Sequence, residues 1–393
     1  MAPTKPKTKS KDKAKNRARA KAAAQTPLVN PRELLAQATT HLEEGDPETA
    51  ARIALTAYEH IGETGRQAGA ALTLLGHIHV ELGDIDTARN FFTAAVNVDQ
   101  DGTLPEDVGG GAEKFLWLAQ LSEEGGQDSV SWFERGAAVL RAQIQELTES
   151  LESRPLTRDA QEALIAEKRR RLADALCAVA EVYMTDLSWE EDAEQRCEAL
   201  VTEATLLAPE SPETWRTVAN VRISQTRVDE AREALKRNLG LWWDLEPEDP
   251  AVPPFPARIS LVRLLIEVEM EKEATEVTDR LVAEDDRSVE ALYLGGYAKY
   301  LSGEKLKVQG QPEDVETWKA VWRSSRKWLT QCLKVFEQEE YEDERLGEHA
   351  RELKESINKE LGEPAEEEDE WEDTDDDEEW EGIDDGDEDT VMQ

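Results

Sequence analysis

The chain has 393 residues, enough for two average domains or one long repeat array. Hydrophobic residues make up 39% of it and the formal net charge is −41, which leaves room for a folded body but excludes a surface that attracts nucleic acid or anionic lipid. With the lysine-rich start (about +8) and the stretch from Glu363 onward (about nineteen acids, no base) set aside, the remaining body keeps roughly −30, a field suited to basic protein partners.

In chain order, residues 1–28 form a basic arm, "KPKTKSKDKAKNRARAK" at its centre, expected to be disordered. It reads either as a solvated end lying on the acidic body or as a nuclear-import signal or RNA contact. From residue 29 to 361 helical periodicity is everywhere and strand signals are scarce. "LLAQATTHLEEGDPETAARIALTAY" sets Leu34, Ala38, Gly45, Ala50, Ala54 and Ala57 at helix-hairpin spacing. "LTLLGHIHVELGDIDTARNFFTAAVNVDQ" repeats the pattern with Leu72, Leu75, Gly76, Ala88, Phe92 and Ala95. A third copy carries Phe115, Leu118, Ala119, Gly126 and Phe133, and "PEDVGGGAE" before it reads as a flexible link. A helix predicted to reach about Ser153 is followed by one from Arg158 to about Asp186, nearly twice the usual length, which opens the fourth copy. Trp215, Val218, Ala219, Ala231 and Leu235 mark the fifth; a proline-rich interruption, residues 239–258, separates it from the sixth. The seventh begins at "LYLGGYAKYLSGE", its second helix delayed to Val315, and residues 342–361 read as a polar capping helix. Residues 362–393 form an acidic tail expected to be disordered, which acts as a solubiliser or as a shield for a basic client; Trp371 and Trp380 favour some contact.

These hairpins resemble the tetratricopeptide repeat, about 34 residues of helix–turn–helix. The predicted fold is therefore all-α: a superhelical solenoid of about seven hairpins plus a cap, between two disordered ends. In that repeat family the first helix of each pair lines the concave side. The resemblance places Glu43, Glu81, Glu113, Glu123, Glu124, Asp174, Glu181, Glu213, Glu267 and Glu290 there, together with Leu35, Leu116, Ile259, Tyr293, Tyr297 and Tyr300. Arg32, Arg216 and Arg263 are the basic residues at these positions, so an acidic groove with an aromatic footing is expected. Arg216 and Asn220 fall at two positions of the clamp with which some such repeats hold chaperone C-termini. The rest of that clamp is missing, and Glu dominates.

Catalytic chemistry is not indicated. His77 and His79 are about 200° apart on a helix and face opposite ways, which argues against a metal pair. No phosphate loop, dinucleotide fingerprint or nucleophile elbow occurs. Cys177, Cys197 and Cys332 have no metal-ligand spacing and suggest buried thiols in a reducing compartment. No apolar run approaches the roughly 20 residues of a membrane span, and no secretory signal follows the basic start. "WKAVWRSSRKWLTQCLKVF" could stack on RNA, but Trp318, Val321, Trp322, Leu329, Cys332 and Phe336 follow helical spacing and read as core. No enzyme activity, cofactor, metal, membrane or direct nucleic-acid partner is expected.

The order of "ELLAQATTHLEEGDPETA", "LLGHIHVELGDIDTARNFF" and "SPETWRTVANVRIS" between a basic start and an acid, Trp-bearing tail resembles the fungal family of assembly chaperones of large-subunit ribosomal protein four. The resemblance implies a dedicated chaperone that binds the long basic internal loop of its client, shields it and escorts it to nuclear preribosomes. The implied locations are nucleus and cytoplasm, and a nuclear import receptor could be reached through the client. Two alternatives stand beside it: an acidic histone chaperone, which a long acidic insertion inside a repeat would favour, and a non-catalytic interaction scaffold.

Overall fold

A computed structural model describes residues 30–149, 157–309 and 315–363. The basic arm, the acidic tail beyond Glu363 and the predicted helix end near Ser153 lie outside the described residues. Among the described residues there are fifteen α-helices, one 3₁₀ turn and no strand, in a tetratricopeptide-like all-helical repeat. The chain divides into two compact units, the first ending at Val252 and the second beginning at Pro253.

The first unit stacks five hairpins: α1 (Pro31–Glu43) with α2 (Pro47–Ile61), α3 (Ala68–Glu81) with α4 (Ile85–Val98), α5 (Glu113–Gln120) with α6 (Gly126–Glu149), α7 (Arg158–Met184) with α8 (Ala193–Leu207), and α9 (Pro212–Ser224) with α10 (Val228–Leu239). Helix starts follow the local chemistry. Asn30, Asp46, Asp84, Thr157 and Ser211 each accept a backbone N–H from the first turn, and Pro31, Pro47 and Pro212 open helices where no N–H is needed. The "EEGD" and "ELGD" turns close with Gly45 and Gly83 at φ 76° and 71°, the following aspartate's N–H reaching back to His41 and His79 carbonyls. In the fifth hairpin Thr226 takes that place at φ 58°, and its neighbour Arg227 donates its N–H to Arg222 O. A β-branched residue is strained there. Thr226→Gly is expected to stabilise the protein by about 0.5–1 kcal/mol, read as a rise in the urea midpoint; a fall would show that the hydroxyl matters more than the backbone.

Small residues let the helices of the first unit approach. A Cβ on Gly76 would lie 2.6 Å from the Phe92 ring, which is fully buried. Phe92, Phe115, Leu140, Leu172 and Leu176 continue this core across four helices. Trp242 in the proline-rich interruption is buried to 1% exposure and donates Nε1–H to Asn238 Oδ1, so this segment contributes a core residue as well as a connection.

The segment from Asp99 to Gly111 is not the flexible link its glycines suggest. Lys114, 1% exposed, sends its Nζ to Asp99 Oδ2 (2.8 Å) and to the carbonyls of Gly111 (3.1 Å) and Gly109 (3.4 Å). Asp99 also accepts the N–H groups of Thr103 and Leu104. Gly109, at φ 87°, lies so close to α3 that a Cβ would meet Ala70 N at 2.1 Å. Glu106 then receives Lys168 of α7 at 2.7 and 2.8 Å. The segment is a packed strap holding α3, α5 and α7 together.

The second unit contains α11 (Phe255–Glu267), α12 (Glu271–Glu284), α13 (Val289–Gln309), α14 (Val315–Gln338) and the cap α15 (Glu344–Leu361). Gly295 and Gly303 of α13 leave space for the indoles of Trp328 and Trp322, the nearest ring atoms being 2.2 and 2.3 Å from where a Cβ would stand. Trp322, Leu329 and Cys332 are buried, as the helical spacing requires, while Trp318, Val321 and Phe336 are half-buried. The cap buries Leu346, Ala350, Leu353 and Ile357.

Candidate functional site

In the first unit the first helices of successive hairpins stand side by side, and their ion pairs define one shared face. His77 Nε2 of α3 is 3.2 Å from Glu113 Oε1 of α5. Arg216 of α9 reaches Glu181 of α7 at 3.2 Å and also holds Glu213, one turn before it on α9. Between α5 and α7 a hollow of about 250 Å³ is lined by residues that include Glu113, Trp117, Arg171 and Asp174.

The electrostatics of this face are those of carboxylates short of cations. Asp174 is exposed, yet protein packs around it on other sides; that enclosure, with Glu213 nearby, pushes its carboxyl up to about 6, against the pull of Arg170 and Arg171. Burial likewise raises Glu181, against Arg216 and with Glu213 adding to it. Glu113 goes the other way: His77, its Nε2 3.2 Å from Glu113 Oε1, holds it below the ordinary glutamate value. The guanidinium of Arg216 is occupied by two carboxylates, so it cannot serve as a clamp for an incoming C-terminus, and Asn220, half-buried one turn on, stands without the other clamp residues.

The structure brings Glu113, Asp174, Glu181 and Glu213 together. Glu43 and Glu81 are exposed at the C-terminal ends of α1 and α3, at the edge of their helices. Glu123 and Glu124 need correction: α5 ends at Gln120, so both lie in the turn before α6, and Glu123 is held by Arg89 of the second helix α4. Ile259 is also corrected, since it is 4% exposed and belongs to the core.

In the second unit Glu267 is exposed at the end of α11, and Glu290 is paired with Arg263 at 2.7 Å. Tyr293 and Tyr297 do not form an open footing. Both pack on the cap: Tyr293 Oη lies 2.6 Å from His349 Nδ1, and His349 meets the Tyr297 ring edge-on at 5.4 Å. Tyr300 stacks on Trp322 at 5.4 Å.

No group of three or more metal-binding side chains occurs among the described residues, and none of their helices is long and apolar enough to cross a membrane. The three cysteines are buried, and burial pushes the Cys177 and Cys332 thiols up to about 12, far from the reactive thiolate range.

No protein-family model matches the chain. It is 48% identical over 351 residues to a probable assembly chaperone of rpl4 from Emericella nidulans, spanning 88% of this chain and 85% of that protein. It is 32% identical over 312 residues to the probable assembly chaperone of rpl4 from Schizosaccharomyces pombe, spanning 78% and 86%. A solved structure of the assembly chaperone of RpL4, residues 1–338, shares 74% identity and a TM-score of 0.68, covering 72% of this chain and 100% of that one. With an all-helical repeat, an acid-lined first-helix face and relatives of this identity along most of its length, the chain belongs to the family of RpL4 assembly chaperones.

Proposed function

We propose that this chain is a dedicated chaperone of newly made large-subunit ribosomal protein four. It receives a basic internal loop of that client along the first-helix face, keeps it soluble and escorts it to nuclear preribosomes. The names of the relatives support the client; the observation that carries the mode of binding is the cluster of Glu113, Asp174, Glu181 and Glu213, carboxylates from three helices on one face. Asp174 is partly enclosed by protein and makes no salt bridge among the described residues, which costs free energy, and a lysine- or arginine-rich segment would relieve that cost. The work of such a chaperone begins in the cytoplasm and ends in the nucleus, with any import receptor engaged through the client.

Salt separates this reading from apolar capture. Exposed charges are screened over about 8 Å at physiological ionic strength. The association rate with purified ribosomal protein four is expected to fall about tenfold or more between roughly 0.05 M and 0.5 M salt, with a smaller change in dissociation rate, measured by stopped flow or surface plasmon resonance. A salt-independent association rate would overturn the electrostatic face. Equal affinity for a core histone would replace a dedicated chaperone by a general acceptor of basic proteins.

A further inference from the structure

The hollow between α5 and α7 has two kinds of wall. Leu116, Trp117, Ala175 and Ala178 make it apolar, while Glu113, Arg171 and Asp174 supply charge. Trp117 is fixed, stacked on Phe92 with centroids 5.8 Å apart and planes 4° apart, and His77 packs beside it at 5.4 Å. The two carboxylates differ. Glu113 already has His77 as its partner, whereas Asp174 makes no salt bridge among the described residues. An apolar hollow with an unmet carboxylate fits a side chain that is itself apolar along its length and cationic at its end.

We infer that this hollow is an anchor for one lysine or arginine of the client's basic segment, its aliphatic stem against Trp117 and Leu116 and its charged head on Asp174. The inference rests on the client reading above and goes beyond it, because it makes one position of the face and one cation of the client unequal to the rest. The indole adds attraction for the cation at the same place. Arg171, one turn before Asp174 on the same helix, discourages a second cation from entering and limits the site to one.

Occupancy is coupled to a proton. The titratable and charged groups around Asp174 are His77 of α3, Glu113 of α5, Arg170, Arg171 and Glu181 of α7, and Glu213 and Arg216 of α9. Glu113 is held below the ordinary glutamate value beside His77, and Glu181 keeps Arg216. Asp174, with its carboxyl pushed up to about 6, is the member with no salt bridge of its own among the described residues. A cation on it favours the ionised form, so binding expels the proton wherever the free chain holds one. Affinity therefore falls as pH drops through about 6 and is flat above about 7.

The test is isothermal titration calorimetry of the full chain with purified ribosomal protein four, in two buffers of different protonation enthalpy. About half a proton is expected to leave per complex at about pH 6, and less than about a tenth at about pH 7.5. Asp174→Asn is expected to abolish the release and to weaken binding roughly tenfold or more at the higher pH. Asp229→Asn on α10, where the side chain is 97% exposed, leaves both unchanged. The native carboxyl of Asp174 is raised, so its ionisation opposes folding above the unfolded value; Asp174→Asn should hold or raise Tm at neutral pH, which separates lost binding from lost fold. A scan of client lysines and arginines to methionine should find one position that removes the release. Binding with no proton release by the unmodified chain, or release spread over several client positions, overturns the anchor and leaves the face standing. Failure of the unmodified chain to bind the client overturns both.

Discussion

Lys114→Ala is expected to destabilise the first unit by about 3–5 kcal/mol, a large share of the ~5–15 kcal/mol that holds a typical domain together. The side chain is 1% exposed and Asp99 is 5% exposed, so removing the ammonium strands a carboxylate in a place that water does not reach. The carbonyls of Gly109 and Gly111 lose their shared donor at the same time. Asp99 retains only the N–H groups of Thr103 and Leu104. Lys114→Met, which keeps the stem, should lose nearly as much, because the charge is the missing part. The measurement is thermal unfolding followed by circular dichroism, with a fall in Tm on the order of 10 °C. A shift of only about a degree would mean that the strap from Asp99 to Gly111 is held by packing alone. Since Lys114 neighbours Glu113 on α5, the same variant should loosen the carboxylate that faces His77, and client binding should weaken along with stability.

That strap marks where sequence reading stopped. Helices were legible because each carries its own signals: the caps Asn30, Asp46, Asp84 and Ser211, the glycine turns, and alanines at the spacing of one face. The long helix α7 and the cap α15 follow from the same periodicity, which is local and needs no partner to be read. "PEDVGGGAE" has no such period. Its order comes from a lysine fifteen residues after Asp99 and from Lys168, 62 residues beyond Glu106, contacts that composition does not announce.

The same distinction runs through the binding face. Asp174, Glu181 and Glu213 sit inside helices whose register fixes their direction, and they converge as that register requires. Glu123 and Glu124 were placed by counting past the point where α5 stops. Tyr293 and Tyr297 occupy first-helix positions, but the cap returns 56 residues later in sequence to put His349 against Tyr293. A chain that supplies its own partner for a groove position cannot be read from one repeat. The unequal roles of Glu113 and Asp174 were also hidden, because both are plain acids in the sequence and what distinguishes them, His77 beside one and enclosure with Glu213 near the other, comes from other helices.

Glu81→Lys combined with Asp174→Lys is expected to reduce client affinity about a hundredfold or more at low salt while leaving the helices intact. The pair is chosen by what each carboxylate does in the fold. Glu181 and Glu213 hold the half-buried Arg216, and reversing them would strand that guanidinium and confuse lost stability with lost binding. Glu81 is exposed at the end of α3, and Asp174 makes no salt bridge among the described residues, so neither reversal breaks a structural pair. Each replaces attraction for a basic chain by repulsion, and Lys at position 174 adds to Arg170 and Arg171 on the same turn. The matched control is Glu59→Lys with Asp229→Lys, two exposed residues of the second helices α2 and α10, which changes the net charge by the same amount. Exposed substitutions of this kind alter stability by about 0.5 kcal/mol or less. If the face is the site, the first pair loses binding and the control loses little beyond a modest slowing of association. If both pairs weaken binding equally, the acidity of the whole chain recruits the client and no single face holds it. Affinity measured at two salt concentrations, with circular dichroism on the same samples, decides between them: repulsion at a contact survives screening better than attraction at a distance.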